Sequence, residues 1–265
     1  MKVLVTGGKG NLGTTIMAQG RHEFISIGRE DWKNLKDSKF ENVQAVIHCA
    51  YDLKHKISED PDSLMESNVL ATAGLLKLIK KYKIPKLVFI STCAVYGSMS
   101  NTAEDSVVFP ESLNGIVKIL NERMIMEFCK ETDIDVKILR VFNMYGGDDQ
   151  FSIVNHLLKS ARSGNVLTLN NDGLSRRDFI HVEDVAKIIL KVLESEISDN
   201  VINVGTGKST SIAELVTFVN SLKEINLVKS NKPEIEYSRA NIDRMKGHFS
   251  YEFKDIFEYL KEELR

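Results

Sequence analysis

The chain has 265 residues, of which 35 are basic and 37 acidic, for a formal charge of −2. That near balance leaves no electrostatic footprint for nucleic acid or for an anionic membrane surface. A hydrophobic share of 43% against 27% charged excludes disorder, and no stretch approaches the ~18 consecutive apolar residues of a membrane span.

The amino end, Met1-Lys2-Val3-Leu4-Val5-Thr6, meets glycine without the length or cleavage site of a signal peptide. Cys49, Cys93 and Cys129 are odd in number and widely spaced, which suits neither a zinc site nor a disulfide framework. The expectation is a cytoplasmic, metal-free globular protein.

Val3-Leu4-Val5 reads as a buried strand, followed by a glycine-rich turn and a helical stretch through Gln19. Phe24–Ile27 and Ala45–His48 read as the second and third strands. A long helix is predicted over Ser63–Tyr82, where Leu64, Leu70, Leu75, Leu78 and Ile79 lie near one face. Leu87–Ile90 reads as a fourth strand, Ile116–Cys129 as a helix and Val136–Leu139 as a fifth strand. Continuous apolar runs between helices indicate parallel strands covered on both faces. Beyond Tyr145 the pattern loosens. Phe151–Arg162 and Val182–Leu193 read as helices, Val166–Leu169 and Val201–Val204 as strands, and Phe253–Leu264 as an amphipathic terminal helix. The expected architecture is α/β, a Rossmann-type doubly wound parallel sheet over 1–145, rejoined by 177–205, with a smaller mixed α/β substrate lobe over 146–265.

Thr6-Gly7-Gly8-Lys9-Gly10-Asn11-Leu12-Gly13 lies between the first strand and the first helix. Glycines at 7, 10 and 13 permit a tight turn, close approach to a pyrophosphate and helix–strand packing, and the helix N-terminus supplies N–H groups. Its place at the head of a βαβ series makes it a dinucleotide cradle. The second strand ends Ile27-Gly28-Arg29-Glu30-Asp31. Glycine followed by Arg29 leaves room and charge for a 2′-phosphate, which favours NADP over NAD. The alternative is a solvated Arg29 with Asp31 on the ribose.

Six motifs in order resemble the extended short-chain dehydrogenase/reductase family of nucleotide-sugar epimerases, dehydratases and ketoreductases. They are Thr6-Gly7-Gly8-x-Gly10-x-x-Gly13; Val46-Ile47-His48-Cys49-Ala50, with Asn68 beyond; and Phe89-Ile90-Ser91-Thr92-Cys93-Ala94-Val95-Tyr96-Gly97. Leu139 to Gly146, Arg176 to Ala186 and Ile202 to Gly207 complete the set. The resemblance implies a nicotinamide coenzyme and a nucleotide-sugar substrate. Gly7, Gly10, Asn11, Leu12 and Gly13 would surround the pyrophosphate, and Ala50 would lie along the coenzyme. Thr92 would hydrogen-bond the reacting sugar oxygen, and Asn143 and Arg177 would contact the nucleotide diphosphate, with Arg239 or Arg244 loosely placed as a second contact. A homodimer through helices near 63–82 and 114–130 is also implied.

One position departs from the family. Its Tyr-x-x-x-Lys pair falls on Pro110-Glu111-Ser112-Leu113-Asn114-Gly115-Ile116-Val117-Lys118, so the lysine is Lys118 and the tyrosine position holds Asn114. An amide donates a hydrogen bond but carries no proton near neutral pH. Tyr82-Lys83-Ile84-Pro85-Lys86 matches the spacing, yet Pro85 is incompatible with a continuing helix. Tyr96 and Cys93 stand as substitutes. A substrate or water acid, an unusual substrate, or a coenzyme-binding protein without turnover are the consequences left open.

Overall fold

The alternating apolar runs assemble into a six-stranded, all-parallel sheet in a computed structural model that describes residues 1–28, 31, 37–52, 60–232 and 234–265. The amino-terminal part runs β1 (Lys2–Thr6), α1 (Asn11–Gln19), β2 (Glu23–Ile27), β3 (Ala45–His48), α2 (Pro61–Met65), α3 (Ala71–Tyr82) and β4 (Lys86–Thr92). It continues through β5 (Met99–Thr102), α4 (Leu113–Lys130), β6 (Asp135–Val141) and β7 (Asn143–Tyr145). The carboxyl-terminal part holds α5 (Ile153–Ser163), β8 (Leu167–Asn170), β9 (Arg176–Arg177), β10 (Phe179–His181), α6 (Val182–Glu194) and β11 (Val201–Val204). After these come β12 (Thr210–Ser211), α7 (Ile212–Leu222), β13 (Leu227–Ser230), β14 (Tyr237–Ala240), α8 (Asp243–His248) and α9 (Ile256–Glu263).

The large sheet has the order β11-β6-β4-β3-β1-β2. From β1 the chain steps one way to β2 and then back across to β3, so strand order reverses between β1 and β3. In such sheets the crevice at the carboxyl ends of those two strands is where ligands bind. Successive side chains of a strand point to opposite faces. Accordingly Val3 and Val5 join a cluster with Ile16, Val185 and Ile189, under α1 and α6. Leu4 joins Leu75, Ile79 and Ile125, under α3 and α4. A separate apolar cluster lies among α5, α7 and α9, with Leu157, Leu215 and Leu260 buried in it.

The expected helix over Ser63–Tyr82 is present as one uninterrupted helical run from Pro61 to Tyr82. A π-helical turn, Glu66–Leu70, joins α2 to α3. The Ser67 hydroxyl donates to the Ser63 carbonyl at 2.6 Å, a side-chain bond of the kind that bends helices. α3 ends where Lys83 takes a left-handed φ of 52°, two residues before Pro85. No helix among the described residues is long and apolar enough to cross a membrane.

Candidate active site

The glycine turn closes on the third strand. Gly7 has φ +70°, and a Cβ there would lie 2.8 Å from the Ala50 backbone nitrogen. A Cβ at Gly13 would overlap the Gly7 carbonyl and come within 2.7 Å of Gly8 Cα. Glycine is therefore required at both places, once for a left-handed backbone and once for helix–turn contact. Gly10 caps α1 without any side-chain hydrogen bond, leaving first-turn N–H groups and the positive end of the helix dipole toward the crevice. These features fit a dinucleotide pyrophosphate.

Of the other expected cradle residues, Asn11 binds protein. Its amide donates to the Gly146 carbonyl at 2.9 Å and its oxygen accepts from the Asp148 N–H at 2.8 Å. Leu12 is buried in the core beneath the turn. Arg29 lies outside the described residues. Asp31, at the end of β2, accepts from the Gly28 N–H at 2.8 Å and from Lys39 at 2.6 Å. The Lys39 contact, first, and the Gly28 N–H hold its carboxyl below the usual range.

The lip of the crevice is pinned on both sides of residue 51. The Ala50 N–H donates to the Thr6 hydroxyl at 3.3 Å. The Asp52 N–H donates to Asn68 Oδ1 at 2.7 Å, and Asn68 Nδ2 returns a bond to the Asp52 carbonyl at 3.2 Å. Asn68 sits in the π turn. Beneath, His48 bridges the Thr6 and Thr72 hydroxyls at 2.6 and 3.0 Å. Burial, then the Lys118 charge, pushes His48 down to about 3, so it stays neutral.

Thr92 ends β4, where its Oγ1 accepts from the Ala94 N–H at 3.2 Å and its hydroxyl also hydrogen-bonds the neighbouring Cys93 thiol. α4 starts against that turn: a Cβ at Gly115 would overlap the Ala94 carbonyl. Lys118, one turn along α4, is buried and donates to the Ile90 carbonyl at 2.7 Å. Its ammonium lies 4.5 Å from the centre of the Tyr51 ring and 4.9 Å from that of Phe89. Burial brings Lys118 down to about 8, against the opposing pull of Cys49 and Glu122. Thr92, Asn114 and Lys118 thus converge at the carboxyl end of β4. The Asn114 Oδ1 atom is buried there with no hydrogen-bond partner.

The two substitutes for the missing tyrosine do other work. The Tyr96 hydroxyl donates to Asn203 Oδ1 at 2.7 Å and accepts from Arg140 at 2.9 Å, deep in the core. The Cys93 thiol, within reach of the Ser238 hydroxyl at 3.5 Å, is pushed up by burial. The Tyr82–Lys86 decoy is at the opposite edge, where Lys86 binds the Leu193 and Ser195 carbonyls.

Arg177 pairs in register with Ser238, and its charge is felt at Cys93 beside Thr92. It donates to the Arg176 carbonyl and stands 3.8 Å from Glu234. The Asn143 amide donates at 3.0 Å to the Asp178 carbonyl and at 3.3 Å to the Ser238 hydroxyl. Both amide protons are thereby committed inside the protein, which is not the donor to phosphate expected of Asn143. Arg244 pairs with Glu104 and Asp199 and donates to the Val201 carbonyl, so it is structural. Arg239 keeps a buried Nε with no partner. Asp178, absent from the sequence reading as a site residue, accepts from the Thr206, Gly207 and Ala240 N–H groups and from the Thr206 hydroxyl.

Residues 3–205 match the model of the NAD dependent epimerase/dehydratase family. The chain belongs to that family. It is 30% identical over 249 residues to the UDP-glucose 4-epimerase of Dictyostelium discoideum, covering 83% of this chain and 69% of that one. Among solved structures, the Thermus thermophilus UDP-glucose 4-epimerase in complex with NAD superposes with a TM-score of 0.80 at 26% identity, over 94% of this chain and 93% of that. MoeE5, solved with UDP-glucuronic acid and NAD, shares the fold at TM-score 0.89 and 22% identity, over 100% of this chain and 98% of that. Within this epimerase/dehydratase fold, the crevice between β1 and β3 and the cluster at the end of β4 form one continuous edge.

Proposed function

We propose that the protein moves hydride between a nicotinamide coenzyme and a carbon of the sugar in a nucleoside-diphosphate sugar. The observation that carries this reading is the convergence of Thr92 and Lys118 on the edge that the Gly7–Ala50 contact opens. When bound, the coenzyme supplies the hydride acceptor or donor. First-turn N–H groups of α1 hold its pyrophosphate, Lys118 orients its ribose, and the Thr92 hydroxyl turns from Cys93 to hydrogen-bond the sugar oxygen. Arg177 and Arg239 are the cations for the diphosphate, since a guanidinium fork suits phosphate oxygens.

Two observations favour NAD over NADP, against the expectation drawn from Arg29. The solved relatives hold NAD, and the Asp31 carboxylate at the end of β2 repels a 2′-phosphate while accepting from ribose hydroxyls. Residues 1–145 with 177–205 form the coenzyme-binding part in this reading, and the remainder of 146–265 forms the substrate lobe. Leu70, Ile116 and Leu120 are exposed on the helices expected to pair in a homodimer, and Leu120→Asp should leave monomers in sedimentation.

A second reading, binding of coenzyme and nucleotide sugar without turnover, draws on Asn114. Nicotinamide absorbance with a panel of UDP-, GDP- and dTDP-4-ketosugars separates the two. Sugar-dependent oxidation of the reduced coenzyme supports the enzyme, and bound coenzyme whose redox state no sugar changes supports the binder.

A further inference from the structure

With asparagine in the tyrosine position, the reaction proposed above lacks a group that gives a proton to the sugar oxygen. We propose that Tyr51, on the lip that follows β3, is that group. The inference rests on the enzymatic reading and adds to it a catalytic residue outside the helix that carries Lys118.

Four observations place it. The Tyr51 ring lies over the Lys118 ammonium at 4.5 Å, nearer than the Phe89 ring at 4.9 Å. His48 pairs with Phe89 in register, so Tyr51 and Thr92 each stand three residues past a matched pair on neighbouring parallel strands. The backbone is fixed immediately before and after Tyr51, by Thr6 at Ala50 and by Asn68 at Asp52. A proton donor must be geometrically placed before its acidity matters, and these bonds place it. Finally, the side chain is half-buried and its hydroxyl makes no hydrogen bond to a described residue, unlike the Tyr96 hydroxyl.

The π turn acquires a purpose here. It widens the helix by one residue at Asn68, whose side chain grips the Asp52 backbone. π-bulges of this kind concentrate at functional sites.

The step balances with the coenzyme already invoked. In reduction of a sugar ketone, the Tyr51 O–H bond breaks and its proton forms the new hydroxyl. The reduced nicotinamide coenzyme, when bound, would supply the hydride for the new C–H bond and leave oxidised. The phenolate regains its proton from water, and the Lys118 ammonium beside the ring stabilises it until then. Burial, then the Asp52 charge, raises the Tyr51 phenol to about 12 in the ligand-free protein, so it rests in the protonated form that this direction uses.

The test compares wild type, Tyr51→Phe and Tyr51→Phe/Asn114→Tyr. Phenylalanine keeps the ring over Lys118 and removes only the hydroxyl. The expected result is a fall in kcat of roughly 100-fold or more in Tyr51→Phe, the scale of a lost general acid, with coenzyme Kd within about threefold of wild type by fluorescence titration. Activity returns in the double variant. The ultraviolet phenolate signal missing from Tyr51→Phe should also shift to lower pH when oxidised coenzyme binds, which a purely structural tyrosine would not show. An active wild type matched by Tyr51→Phe overturns the Tyr51 assignment alone. So does an inactive Tyr51→Phe whose missing phenolate signal ignores coenzyme. A wild type that binds coenzyme and turns over no nucleotide sugar overturns the enzymatic reading, and Tyr51's role with it.

Discussion

Gly13 lies so close to Gly7 that a side chain at position 13 would overlap the Gly7 carbonyl and approach Gly8 Cα to 2.7 Å. The obstacles are backbone atoms, so neither can rotate away. Gly13→Ala should push α1 off the turn, destabilise the fold by about 1–3 kcal/mol as overpacking does, and raise the coenzyme Kd at least tenfold. Thermal melts and calorimetry on the same sample check both.

Lys118 sets a pH dependence with a defined sign. Its ordinary value is 10.5, and in the folded protein it is about 8. Between those values the unfolded chain binds the proton and the folded one does not, so stability rises with pH across that window. Below pH 8 both states are protonated and the folded state bears the full cost of a buried ammonium. Relative to Lys118→Met, which has no such titration, wild type should gain on the order of 3 kcal/mol between pH 7.5 and 10.5. Denaturant melts of the two proteins at matched pH measure the difference.

Tyr96 is held in a network that also includes Arg140, Glu122 and Asn203. Tyr96→Phe should cost about 1–3 kcal/mol, because buried donors and acceptors lose a partner, while kcat stays within a few-fold. A loss of kcat by orders of magnitude with stability unchanged would instead make Tyr96 the proton donor.

Asp178 ties its own strand to two other stretches of chain, Thr206–Gly207 and Ala240, through four accepted hydrogen bonds. An amide presents an N–H where a second acceptor oxygen is needed, so Asp178→Asn should destabilise by about 2–4 kcal/mol, the range for breaking a buried network. The midpoint of urea unfolding reports it. Burial raises the Asp178 carboxyl against those bonds.

The large sheet was legible because its strands are short apolar runs at regular spacing; Ala45–His48 and Val201–Val204 carry the residues predicted for them. The four-stranded sheet of β5, β9, β12 and β14 was not. Its segments, Met-Ser-Asn-Thr, Arg-Arg, Thr-Ser and Tyr-Ser-Arg-Ala, are two to four residues long and mostly polar. Such strands exist through tertiary pairing rather than propensity. α7 does carry a local signal, the Ser211–Glu214 capping box ahead of an apolar run.

At the site, the glycine turn, Thr92 and Lys118 could be located from motif order alone. Tyr51 could not, because its contact with Lys118 joins residues 67 positions apart through the β3–β4 pairing. The π turn at Glu66–Leu70 was hidden for a related reason: no proline or glycine marks it. Asn143 carried the right motif, but its amide protons serve Asp178 and Ser238.

Everything rests on a dinucleotide lying across the end of β1, and calorimetric titration with NAD tests it most directly. Gly10 is the informative position. It faces solvent at the start of α1 with an ordinary φ of −83°, and a Cβ there would meet only the Gly7 carbonyl at 3.3 Å. Wild type should bind one NAD per chain, and Gly10→Val, still folded, should lose it. No NAD binding by wild type, or equal binding by Gly10→Val, would contradict the account.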